Sequence, residues 1–178
     1  MELIHRKDYI IFMGYDLLYV TIMPPNTSKG ILPMFKHIFF WSLGTFILLQ
    51  AIQIDIPEVP TNIDKNKEIQ APKEIASLLK TSCYDCHSYE TKMPWYGNIS
   101  PISWEVKSHI KEGRAWLNFQ EWENYDEEKK QKIYKGITKT INLRMPIPMY
   151  LSMHEEAKLT SKQKKQIKAW AQSYIKED

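Results

Sequence analysis

The sequence predicts an all-α fold, one helical domain behind an N-terminal transmembrane anchor, and three observations carry that prediction. His37 to Ile54 (HIFFWSLGTFILLQAIQI) is a run of 18 residues with no Lys, Arg, Asp or Glu, about the minimum for crossing a bilayer. Four later segments place apolar side chains at helical spacing behind capping residues. No segment of that later part alternates as a strand would. A chain of 178 residues has room for one ordinary domain and an anchor, not for two separate cores.

Residues 1–33 form an unassigned extension. Tyr9 to Met23 is apolar but short, is interrupted by Asp16, and is closed by Pro24 and Pro25. Met34-Phe35-Lys36-His37 has the make-up of a start, a short basic stretch leading into an apolar run. Translation is therefore expected to begin at Met34, with a two-span hairpin as the alternative. Residues 34–54 are the anchor. It is apolar on every face, unlike the striped surface of a core helix, and no small-x-small cleavage site comes after it. Lys36 before it and Asp55 and Glu58 after it put the N-terminal side in the cytoplasm and the remainder outside, by the positive-inside rule.

Residues 55–70 carry Pro57 and Pro60 among mixed charges and read as an extended linker. The domain, 71–178, holds the four helices. The first runs from Pro72 to Cys86, with Ile75, Leu78 and Leu79 on one face. Ser100 and Pro101 supply a cap and a first-turn proline for the second, which carries Trp104, Val106 and Ile110 and is expected to stop near Gly113. Asp126 caps the third, whose stripe is Ile133, Tyr134, Ile137 and Ile141. Thr160 caps the fourth, with Ile167, Trp170, Ala171 and Tyr174 at helical spacing.

The formal net charge is +3, and beyond Ile54 the charges nearly balance, so no overall field favours nucleic acid. Glu121 to Glu128 is acidic, whereas Lys129 to Lys139 and Lys158 to Lys168 are lysine-rich, as solvated helix faces are. A docking patch for an acidic redox partner is the sharper reading of those lysines. The partner itself is not named by anything in the chain.

Cys83 and Cys86 are the only two cysteines, and His87 comes directly after them in SCYDCHS. That spacing is the attachment signature of c-type haem. Two thiols one turn apart reach the two vinyl groups on one haem edge, and the next side chain brings an imidazole under the ring to the iron. Three other readings compete. A thioredoxin-type redox pair needs a βαβ context, and Pro72 to Ser82 reads as a helix instead. Structural zinc needs four ligands and would have to recruit His109 and His154. A disulfide across three positions closes too small a loop to gain much.

One histidine leaves a second axial position, and its occupant separates an electron carrier from a peroxidase or gas sensor with an open site. Met93 lies too close to His87 in the chain to travel round the ring edge. Met145, in Arg144-Met145-Pro146-Ile147-Pro148, is the expected distal ligand, because Pro146 holds it in extended backbone and Pro148 stiffens the far side of the loop. His154 is the alternative, then Met149, and core packing is the ordinary fate of a methionine. Tyr96, Asn98 and Arg114 are candidates to hydrogen-bond a haem propionate. Trp95, Trp104, Trp116 and Trp122 either wall the ring or fill a small core, and Glu105, His109 and Glu112 read as a solvated helix face.

Three runs, SCYDCHSYETKMPWYGNISPISW (Ser82 to Trp104), EGRAWLNFQEW (Glu112 to Trp122) and MPIPMYLSMHEEAKLT (Met145 to Thr160), resemble the bacterial haem-binding domain proteins, membrane-anchored monohaem c-type cytochromes. The resemblance covers most of the chain from Gln70 onward. It implies an all-helical, cytochrome c-like domain carrying one covalent haem c on the periplasmic side of the inner membrane. It carries the haem cysteines and histidine to Cys83, Cys86 and His87, and the Met-Pro motif to Met145 and Pro146. Arg144 departs from it, since an acidic residue is usual there, and a positive charge beside that loop is expected to raise the haem potential. The expected function is single-electron transfer without substrate chemistry. The alternatives are a haem peroxidase or sensor, and a non-haem zinc or disulfide module.

Overall fold

A computed structural model describes residues 4–6, 9–11 and 28–176, with side chains from Met34 onward. The readings that rest on the remainder of the N-terminal extension lie outside the described residues. The chain divides into two compact units, Met1–Ala51 and Ile52–Asp178.

The first unit contains two short antiparallel strands, β1 (Ile4–Arg6) and β2 (Tyr9–Ile11), with Ile4 opposite Ile11 and Arg6 opposite Tyr9. The all-helical expectation did not include these strands. Helix α1 (Ser28–Gln50) comes next and leaves large apolar side chains bare, Phe39 at 62 %, Trp41 at 76 % and Leu48 at 73 % exposure. Among the described residues no helix is long and apolar enough to cross a membrane. The expected span of 34–54 differs from this helix for two physical reasons. At its start α1 takes in residues 28–33, with Lys29 and Pro33 among them, and at its end it stops at Gln50, so Ile52 and Ile54 fall beyond it.

The second unit is helical, and among its described residues there is no strand. It holds α2 (Lys73–Ser82), α3 (Tyr84–His87), α4 (Ile102–Trp116), α5 (Glu127–Thr140), α6 (Pro148–Met153) and α7 (Ser161–Gln172). Short 3₁₀ turns lie between them, including Trp95–Asn98 and Phe119–Asn124. The caps act as expected at two helices. Asp126 accepts from the Lys129 amide at 2.7 Å. Thr160 and Gln163 form a reciprocal capping box, with the Gln163 amide donating to Thr160 Oγ1 and the Thr160 amide to Gln163 Oε1.

Three boundaries differ from expectation. The first helix does not run unbroken to Cys86: it ends at Ser82, and Cys83 leaves helical geometry with φ −126° before the single turn of α3 begins. The second helix passes Gly113 and ends at Trp116. Ser100 does not cap it. Its hydroxyl donates to Ile52 O at 3.2 Å and is paired with Ser103 at 3.1 Å.

The core is where the predicted stripes meet. Leu79, Phe119, Ile133, Ile167 and Ala171 are each at most 2 % exposed, and Ile75, Tyr134, Ile141 and Trp170 join them. Tyr134 lies edge-on to Trp122 and Trp170, with centroids 5.1 and 5.7 Å away, a favourable arrangement of aromatic quadrupoles. Of the four tryptophans offered as core or haem wall, Trp122 is buried, while Trp95 and Trp116 are 74 % and 60 % exposed.

The stretch expected to be a linker lies in the same compact unit as the helices. Ile52 O accepts from Trp104 Nε1 at 2.7 Å, Pro57 O accepts from Arg114 at 3.0 Å, and Ile69 is buried with its amide on Phe119 O at 2.8 Å. Ile69 is an apolar side chain on a proline-rich stretch, and its burial adds to these hydrogen bonds in holding the segment down.

Because the capping box satisfies amides that α7 cannot satisfy internally, Thr160→Ala is expected to lower the unfolding free energy by about 1 kcal/mol. Urea denaturation monitored by circular dichroism measures it, with Ser161→Ala, just inside the helix, as the neutral comparison. Equal midpoints for both variants would show that the box contributes nothing.

Candidate functional site

The three signature residues arise from one tight turn. With α2 finished at Ser82, the Cys83 carbonyl accepts from both the Cys86 and His87 amides, at 3.2 and 2.9 Å. Those bonds wind Tyr84–His87 into α3 and bring both thiols and the imidazole to one side. The residues between and after them secure the turn. Asp85 Oδ1 accepts from the Lys92 amide at 3.0 Å and Oδ2 from the Tyr150 hydroxyl at 2.7 Å. Ser88 is fully buried and donates its hydroxyl to Tyr84 O at 2.8 Å.

Helix α4 closes over this turn. A Cβ on Gly113 would fall 2.5 Å from the Cys86 carbonyl oxygen, far inside van der Waals contact and against backbone that cannot swing aside. Gly113 is therefore a close-approach position and not the helix stop that its sequence context suggests.

The approach gives His87 its orientation. Its Nδ1 lies 3.0 Å from both Gly113 O and Leu117 O. Carbonyl oxygens only accept, so Nδ1 carries the proton, and a neutral ring then has its lone pair on Nε2. Burial lowers the His87 pKa, with the two backbone bonds opposing it, which keeps the ring neutral. This is the tautomer a metal-ligating histidine needs, its second nitrogen fixed by backbone acceptors.

Cys83, Cys86 and His87 line one apolar cavity of about 350 Å³, together with Phe119, Ile137, Trp116 and Met145. A smaller cavity of about 220 Å³ adjoins it, sharing Cys86, His109 and Tyr150 and adding Trp95, Tyr96 and Met149. The donor set, apolar lining and histidine tautomer fit a haem anchored at one edge and ligated from one face. They fit the competing readings badly. Both cysteines are thiols rather than a disulfide, and burial pushes Cys83 up to about 12 and Cys86 up to about 11, the reverse of an activated redox cysteine. Among the described residues no group of three or more His, Cys, Asp and Glu is placed to hold a metal ion.

The remaining sequence candidates separate. Met145, 40 % exposed, shares the cavity of His87. Met149 faces only the adjoining one. His154 has both ring nitrogens engaged, Nε2 with the Tyr96 hydroxyl at 3.0 Å and Nδ1 with Glu156 at 2.9 Å, and stacks on Tyr150 at 4.2 Å. Tyr96 thus bonds His154, and Asn98 is exposed. Arg114 spends its guanidinium on Ser88 O, Pro57 O and Thr91 Oγ1. His109 pairs with Glu105 at 3.5 Å yet lines both cavities, so its helix face is not merely solvated.

Two supporting residues carry no signal in local spacing. Gln120, 4 % exposed, accepts from the Tyr89 amide at 2.8 Å and donates to Glu90, also at 2.8 Å. Tyr150 is the other, through its bond to Asp85. Both lie within the runs on which the resemblance rests, but nothing close in sequence pairs either with the motif.

A family model described as a haem-binding domain matches residues 44–173. No curated protein matches the chain, and no solved structure does.

The raised thiol values concern the haem-free chain, and their sign sets a pH dependence. At pH 8 a thiol near 11 holds about a hundredfold less thiolate than one near 9, and thiolate is the nucleophile. Iodoacetamide is expected to alkylate folded haem-free protein at least that much more slowly than urea-unfolded protein, the gap narrowing as pH rises toward 11. Equal rates in both states at pH 8 would contradict the burial of Cys83 and Cys86.

Proposed function

The chain belongs to the haem-binding domain family, and from that premise we propose that it is a membrane-tethered monohaem cytochrome c passing single electrons outside the cytoplasmic membrane. One haem c is bound covalently through the Cys83-x-x-Cys86-His87 motif. Cys83 and Cys86 hold the ring edge by thioether bonds, and His87 offers Nε2 while Gly113 O and Leu117 O hold its other nitrogen. The bound group supplies reversible one-electron iron chemistry, and the chain's own side chains position it and keep water from it.

The observation that carries this reading is that Met145 and His87 line the same cavity as the two thiols. A thioether from Met145 would serve, together with the His87 imidazole, to hold the iron, which would suit electron transfer and would leave no coordination site for peroxide or a gas. His154 serves this role less well because freeing either nitrogen breaks a hydrogen bond. The methionine is assigned on that comparison. Arg144 is exposed, so solvent weakens whatever its charge does to the iron.

Support for the tether comes from the charge-free run of 18 residues from His37 to Ile54 and from the bare apolar surface of α1, including Phe39, Phe40 and Trp41. Among the described residues no helix, α1 included, is long and apolar enough to cross a membrane, so crossing requires the apolar segment to continue beyond Gln50 through Ile54. The flanking charges then set the haem domain on the periplasmic side.

The ferric wild type is expected to show the long-wavelength absorption band of iron-bound methionine, and Met145→Ala to lose it and gain rapid carbon monoxide binding in the ferrous state. Loss of the band in Met149→Ala with survival in Met145→Ala would reassign the ligand, and rapid carbon monoxide binding by the wild type would favour the sensor or peroxidase reading. For the tether, full-length haem-loaded protein is expected to stay with membranes through an alkaline carbonate wash and to leave only in detergent; recovery in the wash would remove the anchor.

A further inference from the structure

Among the described residues Arg114 is the only buried charged side chain, at 7 % exposure. Its Nε donates to Ser88 O at 2.8 Å, Nη1 to Pro57 O at 3.0 Å and Nη2 to Thr91 Oγ1 at 2.9 Å, and the guanidinium sits 5.5 Å from the Tyr89 ring centroid. Each of these partners is uncharged. None of its hydrogen bonds goes to a carboxylate. A neutral donor could serve carbonyl and hydroxyl acceptors without the desolvation cost of a buried cation, so hydrogen bonding alone does not account for a charge here.

Its location suggests what the charge is for. The preceding residue, Gly113, abuts the Cys86 carbonyl and accepts the His87 Nδ1 proton. The residue that Nε contacts, Ser88, comes immediately after His87. The cation is therefore fixed beside the attachment turn, shielded from solvent. Reduction adds one electron to the iron and lowers the charge of the site by one, and a fixed positive charge in a weakly screening interior favours that state.

We propose that Arg114 sets the reduction potential of the haem, holding it above the value that the apolar cavity and the His87 hydrogen bonds would give alone. Arg114 is a potential-setting residue, acting through space without touching the iron. This inference rests on haem attachment at Cys83, Cys86 and His87, not on the electron-carrier role, and a colourless protein would fail that premise separately.

The test is a spectroelectrochemical titration of the haem-loaded full chain at fixed pH and ionic strength. Arg114→Gln, which keeps donors and removes the charge, is expected to lower the equilibrium constant for one-electron reduction about tenfold, a fall of ~59 mV, with the axial-ligand absorption bands unmoved. Arg114→Lys is expected to recover most of that fall. Thr91→Val, which removes one acceptor and leaves the cation, is expected to match the wild type. An unchanged midpoint in Arg114→Gln overturns the proposal, as does a fall in Arg114→Lys as large as that in Arg114→Gln, since the role would then be structural. Should Arg114→Gln not accumulate with haem, the other two decide: midpoints near wild type in both support the charge, and a fall in either overturns it.

Discussion

The paired hydrogen bonds from His87 Nδ1 to the carbonyls of Gly113 and Leu117 are the constraint on which the rest of the site depends. They need the end of α4 to lie against the backbone of the motif turn, and that needs a residue without a Cβ at position 113. Given that seam, the neighbouring contacts fall into place. Arg114 reaches Ser88 and Thr91, Phe119 stacks on Tyr84 with centroids 5.2 Å apart, and Gln120 takes the Tyr89 amide. The backbone pair between Ile69 and Phe119 then ties the incoming chain to the same seam. A side chain at position 113 would push the helix away and disturb all of these together.

What could be read from the sequence was what short-range physics decides. Asp126 and Thr160 cap their helices through contacts three residues away, and Ile133, Tyr134, Ile167 and Trp170 show their burial by spacing alone. Cys83, Cys86 and His87 announce their chemistry because the reaction itself demands their separation. What stayed hidden depends on distant partners. Gly113 looks like a helix stop until Cys86 is seen against it, and Ser100 looks like a cap until Ile52 is found accepting its hydroxyl. Prolines and mixed charges suggest an extended linker at 55–70, and do not show that Pro57 O and Ile69 within it are engaged. The break at Cys83 is likewise unmarked by the local spacing, which runs on in helical register through it.

On the proposed reading, two adjacent residues on α4 act on the iron site in opposite senses. Gly113 O, accepting from Nδ1, increases the donor strength of the imidazole and so favours the oxidised metal. Arg114, a buried cation, favours the reduced one. Neither needs to contact the metal. Because both belong to one helical turn, moving that turn alters both contributions together, which makes the set point of the site a property of how α4 is seated.

The same seam orders events in time. Thioether bonds require the two thiols to meet the porphyrin edge, yet in the folded chain Cys83 and Cys86 lie against an apolar cavity with α4 packed over their turn, and burial holds both sulfurs protonated. Thioether formation is therefore easier on an open chain in which α4 has not yet covered α2 and the motif, and folding afterwards closes over bonds already made; a chain that closes first meets the porphyrin with less nucleophilic thiols.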